Sequence, residues 1–574
     1  MDKRTASIAR GETPTEKVFK NARVLDVFNK TFHTTSIAVE NGVILGVGEY
    51  RGKKEIDLGG RYLAPGLIDG HVHIESSMVT PAQFGNIILP KGTTTVIADP
   101  HEIANVLGKE GIRFMLESAS STPLDIFMMI PSSVPATRFE TAGASITAED
   151  VESLLEEEGV FGLGEVMNYP DVLAADADIM KKIALAKGKI IDGHAPGLKG
   201  KDLNAYILGG VMTDHECSTP EELEERVGKG MYVHLREGSA TKNVKDLLPA
   251  VTKANVSRVL FCTDDKHPED IRAEGHINKN VNIAIEAGFS AETALTMATL
   301  NAAECYRLHD RGAIAPGRKA DFIVFKSLER IEPEEVYKDG ELVALDQKPG
   351  QKAKITRSKQ VTDTVKVDVD RLDFTLPPFK GKARIIGLVP GNITTRHIIA
   401  EVTEKDGRYR DEDGVELLKA AVIERHKNTG NIGLGLIRGY GMRHGALAMT
   451  IAHDSHNLVV IGDDDEAMRL AAKEMKRIQG GIVLVKEGKV EDSLPLEIAG
   501  IMTAEDPAKV AKTLERMKTK IRAMGLSGKI ADPFVPLSFL SLPVIPELKL
   551  TDLGLFDVEK FQHVDITFTK GEED

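Results

Sequence analysis

From Leu67 to about Tyr306 the chain alternates short apolar runs with capped, helix-period segments, and no other feature narrows the fold as far. The runs are Leu67-Ile-Asp69, Thr94-Thr-Val-Ile-Ala98, Asp125-Ile-Phe-Met-Met-Ile130, Val160-Phe-Gly-Leu-Gly164, Lys189-Ile-Ile-Asp192, Gly210-Val-Met-Thr213, Met231-Tyr-Val-His-Leu235 and Arg258-Val-Leu-Phe-Cys262. Each has the length and apolar continuity of a strand buried on both faces. Helix starts follow at Thr80-Pro81, Thr147-Ala-Glu-Asp150 and Thr219-Pro-Glu-Glu222, where a Thr side chain takes an orphan amide and Pro or an acid fills the first turn. Ser290 similarly precedes a closing helix, Ala291 to Tyr306. Eight such pairs over roughly 240 residues predict a (β/α)8, TIM-like α/β barrel across 67–310.

The flanks differ in style. Arg23-Val-Leu-Asp-Val27, Thr35-Ser-Ile-Ala-Val39 and Val43-Ile-Leu-Gly-Val47, with Asn41-Gly42 between the last two, read as an antiparallel sheet. Gly317 to Phe325 and Lys338 to Ala344 repeat the style beyond the barrel. The two pieces, 1–66 and 311–376, are expected to form one split β-sandwich, with a polar linker near Lys348-Pro-Gly-Gln-Lys352. From 377 to 574, strands at Lys382–Leu388, His397–Val402 and Leu458–Gly462 mix with helices at Asp464–Gln479 and Pro507–Met524, an additional C-terminal α+β domain.

Asp and Glu number 87 against 73 Lys and Arg, for a net charge of -14 without a strong basic block, which argues against nucleic acid or anionic membrane as partner. No apolar segment reaches a membrane span and the first residues lack a signal peptide's apolar core, so a cytoplasmic location is expected. Cys217, Cys262 and Cys305 are too scattered for a disulfide framework or a metal knuckle. A homodimer is expected.

Barrel enzymes carry their chemistry where strands end. Here strand one ends in His71 and His73, strand four in Glu165, strand five in His194, strand six in His215 and strand eight in Asp264. His71 and His73, two residues apart on a strand, point to one side. Four imidazoles and two carboxylates exceed the needs of one tetrahedral ion and suit two divalent ions sharing a bridging carboxylate.

With these residues in view, Asp69-Gly-His-Val-His73, His194, His215 and Asp264 resemble the amidohydrolase superfamily. Gly70-His-Val-His-Ile-Glu-Ser-Ser-Met78, Ala98-Asp-Pro-His-Glu102, His234-Leu-Arg-Glu-Gly-Ser239, Phe261-Cys-Thr-Asp-Asp-Lys-His267 and the tail Ser541 to Glu547 are similar to the bacterial and archaeal adenine deaminases within it. The resemblance implies a split sandwich, a metal-bearing barrel, a further C-terminal domain, and hydrolysis of adenine to hypoxanthine and ammonia in purine salvage. It also implies two divalent ions, Mn2+ or Fe2+ ahead of Zn2+. Superfamily members acting on cyclic amides bridge their metals with a carboxylated lysine on strand four, whereas Glu165 stands here and can bridge directly. The zinc nucleobase deaminases use a paired-cysteine signature that this chain lacks.

Asp264 is the candidate to take a proton from the attacking water, and either it or a second acid returns one to the departing ammonia. Glu237 either protonates a ring nitrogen or is an exposed acid paired with Arg236. His101 either holds the nucleophile, orients substrate or binds a further ion, or is a loop residue. Glu102, Arg236, Ser239 and His267 are candidates to contact substrate, and Glu75 and Ser76 lie nearby in sequence. His444, His453, Asp454 and His456 either close over the barrel mouth or are surface groups. Two other functions fit the same residues less well, a cyclic amide hydrolase of the dihydroorotase or hydantoinase kind and a non-catalytic assembly protein on the same fold.

Overall fold

A computed structural model describes residues 1–350, 361–379, 381–405 and 407–568. Eight parallel strands form the barrel: β1 (Leu67–Val72), β2 (Thr93–Ala98), β3 (Asp125–Ile130), β4 (Val160–Val166), β5 (Ile190–Gly193), β6 (Thr213–Asp214), β7 (Tyr232–Arg236) and β8 (Val259–Cys262). Ladders run from β1 to β5 and from β6 to β8. Main-chain bonds close the ring between β8 and β1, where Asp264 N donates to His71 O at 2.9 Å and His73 N to Asp264 O at 3.1 Å. At the other junction Gly193 N donates to Thr213 Oγ1, 3.0 Å away. Ile68, Ile97, Met129 and Leu260 pack inside the barrel with Tyr306, whose hydroxyl donates to Gly70 O and Asp192 Oδ1. The apolar floor leaves the strands' carboxyl ends as the place for polar chemistry.

Several local expectations are met and some corrected. Thr147 with Asp150 and Thr219 with Glu222 make reciprocal capping boxes, and Ser290 accepts from Thr293 N. Thr80 precedes a helix beginning at Pro81, but its side chain caps nothing; its Oγ1 is buried and its carbonyl takes the Phe84 amide instead. The closing helix is two helices, Ala291–Met297 and Leu300–Cys305. It breaks because Ala298 O accepts the Ile68 amide of β1 at 2.9 Å, diverting a helical carbonyl into the barrel wall. The sixth strand starts later than expected, since Gly210 turns the chain at φ +109°.

Both flanking pieces enter one nine-stranded sheet, joined where Tyr62–Pro65 pairs antiparallel with Phe322–Phe325. Asn41-Gly42 and Asp339-Gly340 turn its hairpins with positive φ at both residues. Phe19 and Tyr337 belong to strands three places apart in sheet order, yet their rings are 5.0 Å apart. A flat sheet would separate such strands by about 14 Å, so this one folds over its own core as a sandwich does. The expected linker at 348–352 begins with a two-residue strand, Lys348–Pro349, and its last two residues lie outside the described residues.

A ten-stranded sheet dominates the C-terminal part, with the helix Asp465–Ile478 packed on one face through Met468, Ala471 and Met475. Val365, Val367 and Phe374 join that core, so this end of the expected second sandwich piece sits with the C-terminal domain. The domain docks on the barrel through Thr503, whose amide donates to Met78 O at 3.0 Å, and through Lys518 paired with Glu269 at 2.7 Å. Among the described residues no helix is long and apolar enough to cross a membrane.

Candidate metal centre

All six expected ligands converge at the carboxyl end of the barrel. The Nε2 atoms of His71 and His73 face each other at 3.2 Å. His73 Nδ1 donates to Asp99 O at 2.9 Å, which leaves the Nε2 lone pair directed into the site. Burial lowers the His71 imidazole to about 3, whereas at His73, His194 and His215 the neighbouring carboxylates outweigh burial and raise the imidazoles.

Glu165 divides the centre into two halves. Its Oε1 lies 3.3 Å from His73 Nε2 and 4.0 Å from His71 Nε2, while Oε2 lies 2.8 Å from His194 Nδ1 and 3.3 Å from His215 Nε2. Asp264 Oδ1 completes the first half at 3.0 Å from His73 Nε2 and 3.5 Å from His71 Nε2. Glu165 Oε2 and His194 Nδ1 are buried 2.8 Å apart without the alignment of a hydrogen bond, the condition of ligand atoms that a cation satisfies. Two groups of three ligand atoms, His71–His73–Glu165 and Glu165–His194–His215, share the glutamate, and His71–His215–Asp264 forms a third. The residues therefore fit a pair of divalent ions with Glu165 between them.

The backbone helps to set this geometry. Glu165 N donates to Asp99 Oδ2 at 2.9 Å, and a Cβ on Gly164 would stand 2.1 Å from that same oxygen. Asp264 holds φ +58°, a left-handed conformation uncommon away from glycine, as it leaves β8. Burial pushes the Asp264 carboxyl up, but the Arg236 guanidinium and the neighbouring imidazoles outweigh it and hold the group well below the usual range.

The remaining predicted residues divide. His101 reaches the centre, with Nδ1 3.3 Å from Glu165 Oε1 and Nε2 3.3 Å from Glu102 Oε1. Arg236 is buried, with its fork committed to Asp264 Oδ2 and Glu216 and its Nε left without a hydrogen-bond partner. Glu237 is buried as well and pairs with Lys242 at 3.9 Å, not with Arg236; burial raises its carboxyl. Ser239 donates to Asp270 Oδ2 and accepts the His267 amide, and His267 Nδ1 lies 3.8 Å from Glu269, so the contacts of both run along the β7 and β8 loops. Glu75 accepts the Ile103 amide and Ser76 donates to Asp265. The four-residue C-terminal cluster splits: His444 is exposed, whereas His453, Asp454 and His456 are buried against the barrel mouth.

Two residues were missed. Glu216 follows His215 and stands 3.6 Å from His194 Nδ1 and 3.5 Å from His215 Nε2. Asp99 braces both His73 and Glu165. The signal for each was adjacency to a strand-end ligand or to the His101 segment. The side chains of His194 and Glu216 keep 27% and 16% exposure, against 8% or less for the other metal-type ligands, so the centre opens to solvent on the β5–β6 flank.

A parallel eight-stranded barrel with this ligand set is a metal-dependent hydrolase of the amidohydrolase kind, and residues 62–343 match the model of the amidohydrolase family. Residues 392–562 match the adenine deaminase C-terminal domain. Adenine deaminase 2 of Carboxydothermus hydrogenoformans is 49% identical over 561 residues, covering 98% of each chain. Adenine deaminases of Nitratidesulfovibrio vulgaris strain DP4 and Geobacillus kaustophilus are 48% and 45% identical, over 96% and 97% of this chain and 97% and 98% of theirs. The chain belongs to the adenine deaminase family.

Proposed function

We infer that this chain hydrolyses adenine to hypoxanthine and ammonia, as a purine-salvage enzyme using two divalent ions, Mn2+ or Fe2+ ahead of Zn2+. The observation that carries the reading is Glu165, whose two oxygens face two imidazole sets inside a chain of full-length kinship to adenine deaminases. His71, His73, Glu165, His194, His215 and Asp264 would hold the two cations, which would supply hydroxide at neutral pH by lowering the pKa of bound water.

The protein's own groups do the rest. Asp264, oriented by Arg236 through Oδ2, accepts the proton released as water attacks C6 of the purine. Glu237, whose carboxyl burial shifts upward, is the group that donates to a ring nitrogen and makes C6 electrophilic. Ammonia leaves with a proton returned by Asp264 or a second acid, because amide anion is a very poor leaving group. Adenine enters by the His194–Glu216 flank. The working form is a homodimer, and the free base is its substrate; a ribose on N9 is rejected.

The test is ammonia release by manganese-loaded, reduced protein with adenine, adenosine and cytosine side by side, and dihydroorotate opening followed in parallel. Ammonia from adenine alone, abolished in Asp264→Asn, is the expected result. Dihydroorotate opening without deamination would overturn it, and adenosine turnover at a comparable rate would overturn the free-base specificity. Light scattering on the same sample checks the dimer.

A further inference from the structure

Glu102 sits at the seam between barrel and C-terminal domain and touches three imidazoles. His101 Nε2 lies 3.3 Å from its Oε1, His453 Nδ1 contacts the same oxygen, and His456 Nε2 contacts Oε2. All four side chains are buried. His101 thereby spans two carboxylates, Glu102 on one side and the central Glu165 on the other.

The C-terminal histidines are held independently of Glu102. His456 Nδ1 accepts the Ala452 amide at 3.1 Å, and its carbonyl accepts from the buried Arg425. His453 stacks on Phe539 with ring centroids 4.5 Å apart, and its amide donates to Ser538 O at 2.8 Å. The Ala452 bond also fixes a tautomer. With Nδ1 accepting, the proton of a neutral ring is on Nε2, so His456 donates to Glu102 and offers no lone pair there to a cation. That argues against a third metal at Glu102, His453 and His456, although their ligand atoms are close enough to suggest one. An interface needing only adhesion is served better by apolar packing, because burying a carboxylate among imidazoles costs solvation. Directional bonds instead fix where Glu102, and through it the His101 ring, must stand.

Building on the adenine deaminase reading, we propose that Glu102 is a positioning residue, clamped by His453 and His456, which orients His101 against Glu165 so that docking of the C-terminal domain completes the active site. His101 then presents Nδ1 to the reacting region in one orientation, as the acid of a catalytic triad holds its histidine. Loss of the clamp leaves the metal ligands in place and the ring free to turn.

Full-length, manganese-loaded protein carrying His456→Ala, His456→Gln, Glu102→Gln, or Glu102→Gln with His456→Ala tests this. Metal per chain, melting temperature, hydrogen exchange across His101–Leu107, kcat and KM for adenine are read on each. Removing the clamp is expected to lower kcat about tenfold or more with KM within about threefold. Metal content and melting temperature stay near the parent's, while exchange in the helix rises. His456→Gln keeps an N–H for Glu102 and recovers most of kcat. The double variant is no slower than Glu102→Gln alone, since both act through one carboxylate. Unchanged kcat and exchange in His456→Ala, a loss that tracks lost metal or melting temperature, or a third ion released by that substitution would each overturn the inference. A parent chain that releases no ammonia from adenine would bring down the functional reading and this inference together; an active parent with equally active variants brings down this inference alone.

Discussion

Arg236 Nη1 donates to Asp264 Oδ2 at 2.6 Å, and the other oxygen of Asp264 stands 3.0 Å from His73 Nε2. One oxygen is thus tied to a fixed cation and the other is turned toward the imidazoles, so the guanidinium sets the orientation of the carboxylate proposed above to exchange a proton. Arg236→Gln keeps a donor but loses the charge and the fork, and kcat/KM for adenine is expected to fall at least about a hundredfold. Arg236→Lys is expected to recover only part of it. Steady-state kinetics on manganese-loaded protein decide the matter, and parent-like rates in the Gln variant would remove Arg236 from the site.

Glu165→Gln replaces the side chain whose two oxygens face the two imidazole groups with a neutral amide. Metal content is expected to drop from the proposed two ions per chain to one or fewer, with a loss of affinity of at least about tenfold. Elemental analysis after dialysis against buffered metal reads this directly. Two ions retained at parent affinity would mean the glutamate does not bridge.

Gly164→Ala probes the support behind that glutamate. The new methyl group would stand 2.1 Å from Asp99 Oδ2, which accepts the Glu165 amide. Asp99 must move, and Glu165 and His73 move with it. The variant is expected to stay folded by circular dichroism while losing at least about tenfold in activity; full activity would show that Asp99 has room to yield.

The seam between the barrel and the sandwich carries a pH-dependent lock. Asp125, at the start of β3, pairs with Lys338 at 2.6 Å, Lys319 at 3.3 Å and Arg311. Burial pushes its carboxyl up, but Lys338 and Arg311 outweigh burial and bring it to about 2 from 3.8. A depressed carboxylate stabilises the fold above its unfolded pKa, and that contribution disappears as pH falls from about 4 to about 2. The difference corresponds to about 2 kcal/mol. Denaturant melts at pH 7 and at pH 3 should therefore show Asp125→Asn destabilised most at pH 7, with the gap narrowing in acid; a gap that widens in acid would contradict the pairing.

Much of this molecule was legible in the linear chain because its signals are local. An apolar strand followed by a capped helix is set by neighbours in sequence, and eight of them close into a barrel because parallel strands must be covered on both faces. The six metal-type residues could be named because a strand's last residues point out of the barrel mouth whatever surrounds them. The Asn41-Gly42 turn and the helices beginning after Asp464 and Asp506 are likewise written in residues that neighbour one another.

What the chain could not declare is which distant groups meet. Glu102 and His456 are 354 residues apart, and their contact exists only once the C-terminal sheet packs against the barrel. Nothing local to Arg236 reveals that Asp264 and Glu216 occupy its fork. The long closing helix divides because Ile68, more than two hundred residues earlier, claims the carbonyl of Ala298. Local stereochemistry and patterning settle elements within a few residues, whereas burial, charge pairing and the direction of a hydrogen bond depend on neighbours that only the tertiary fold supplies.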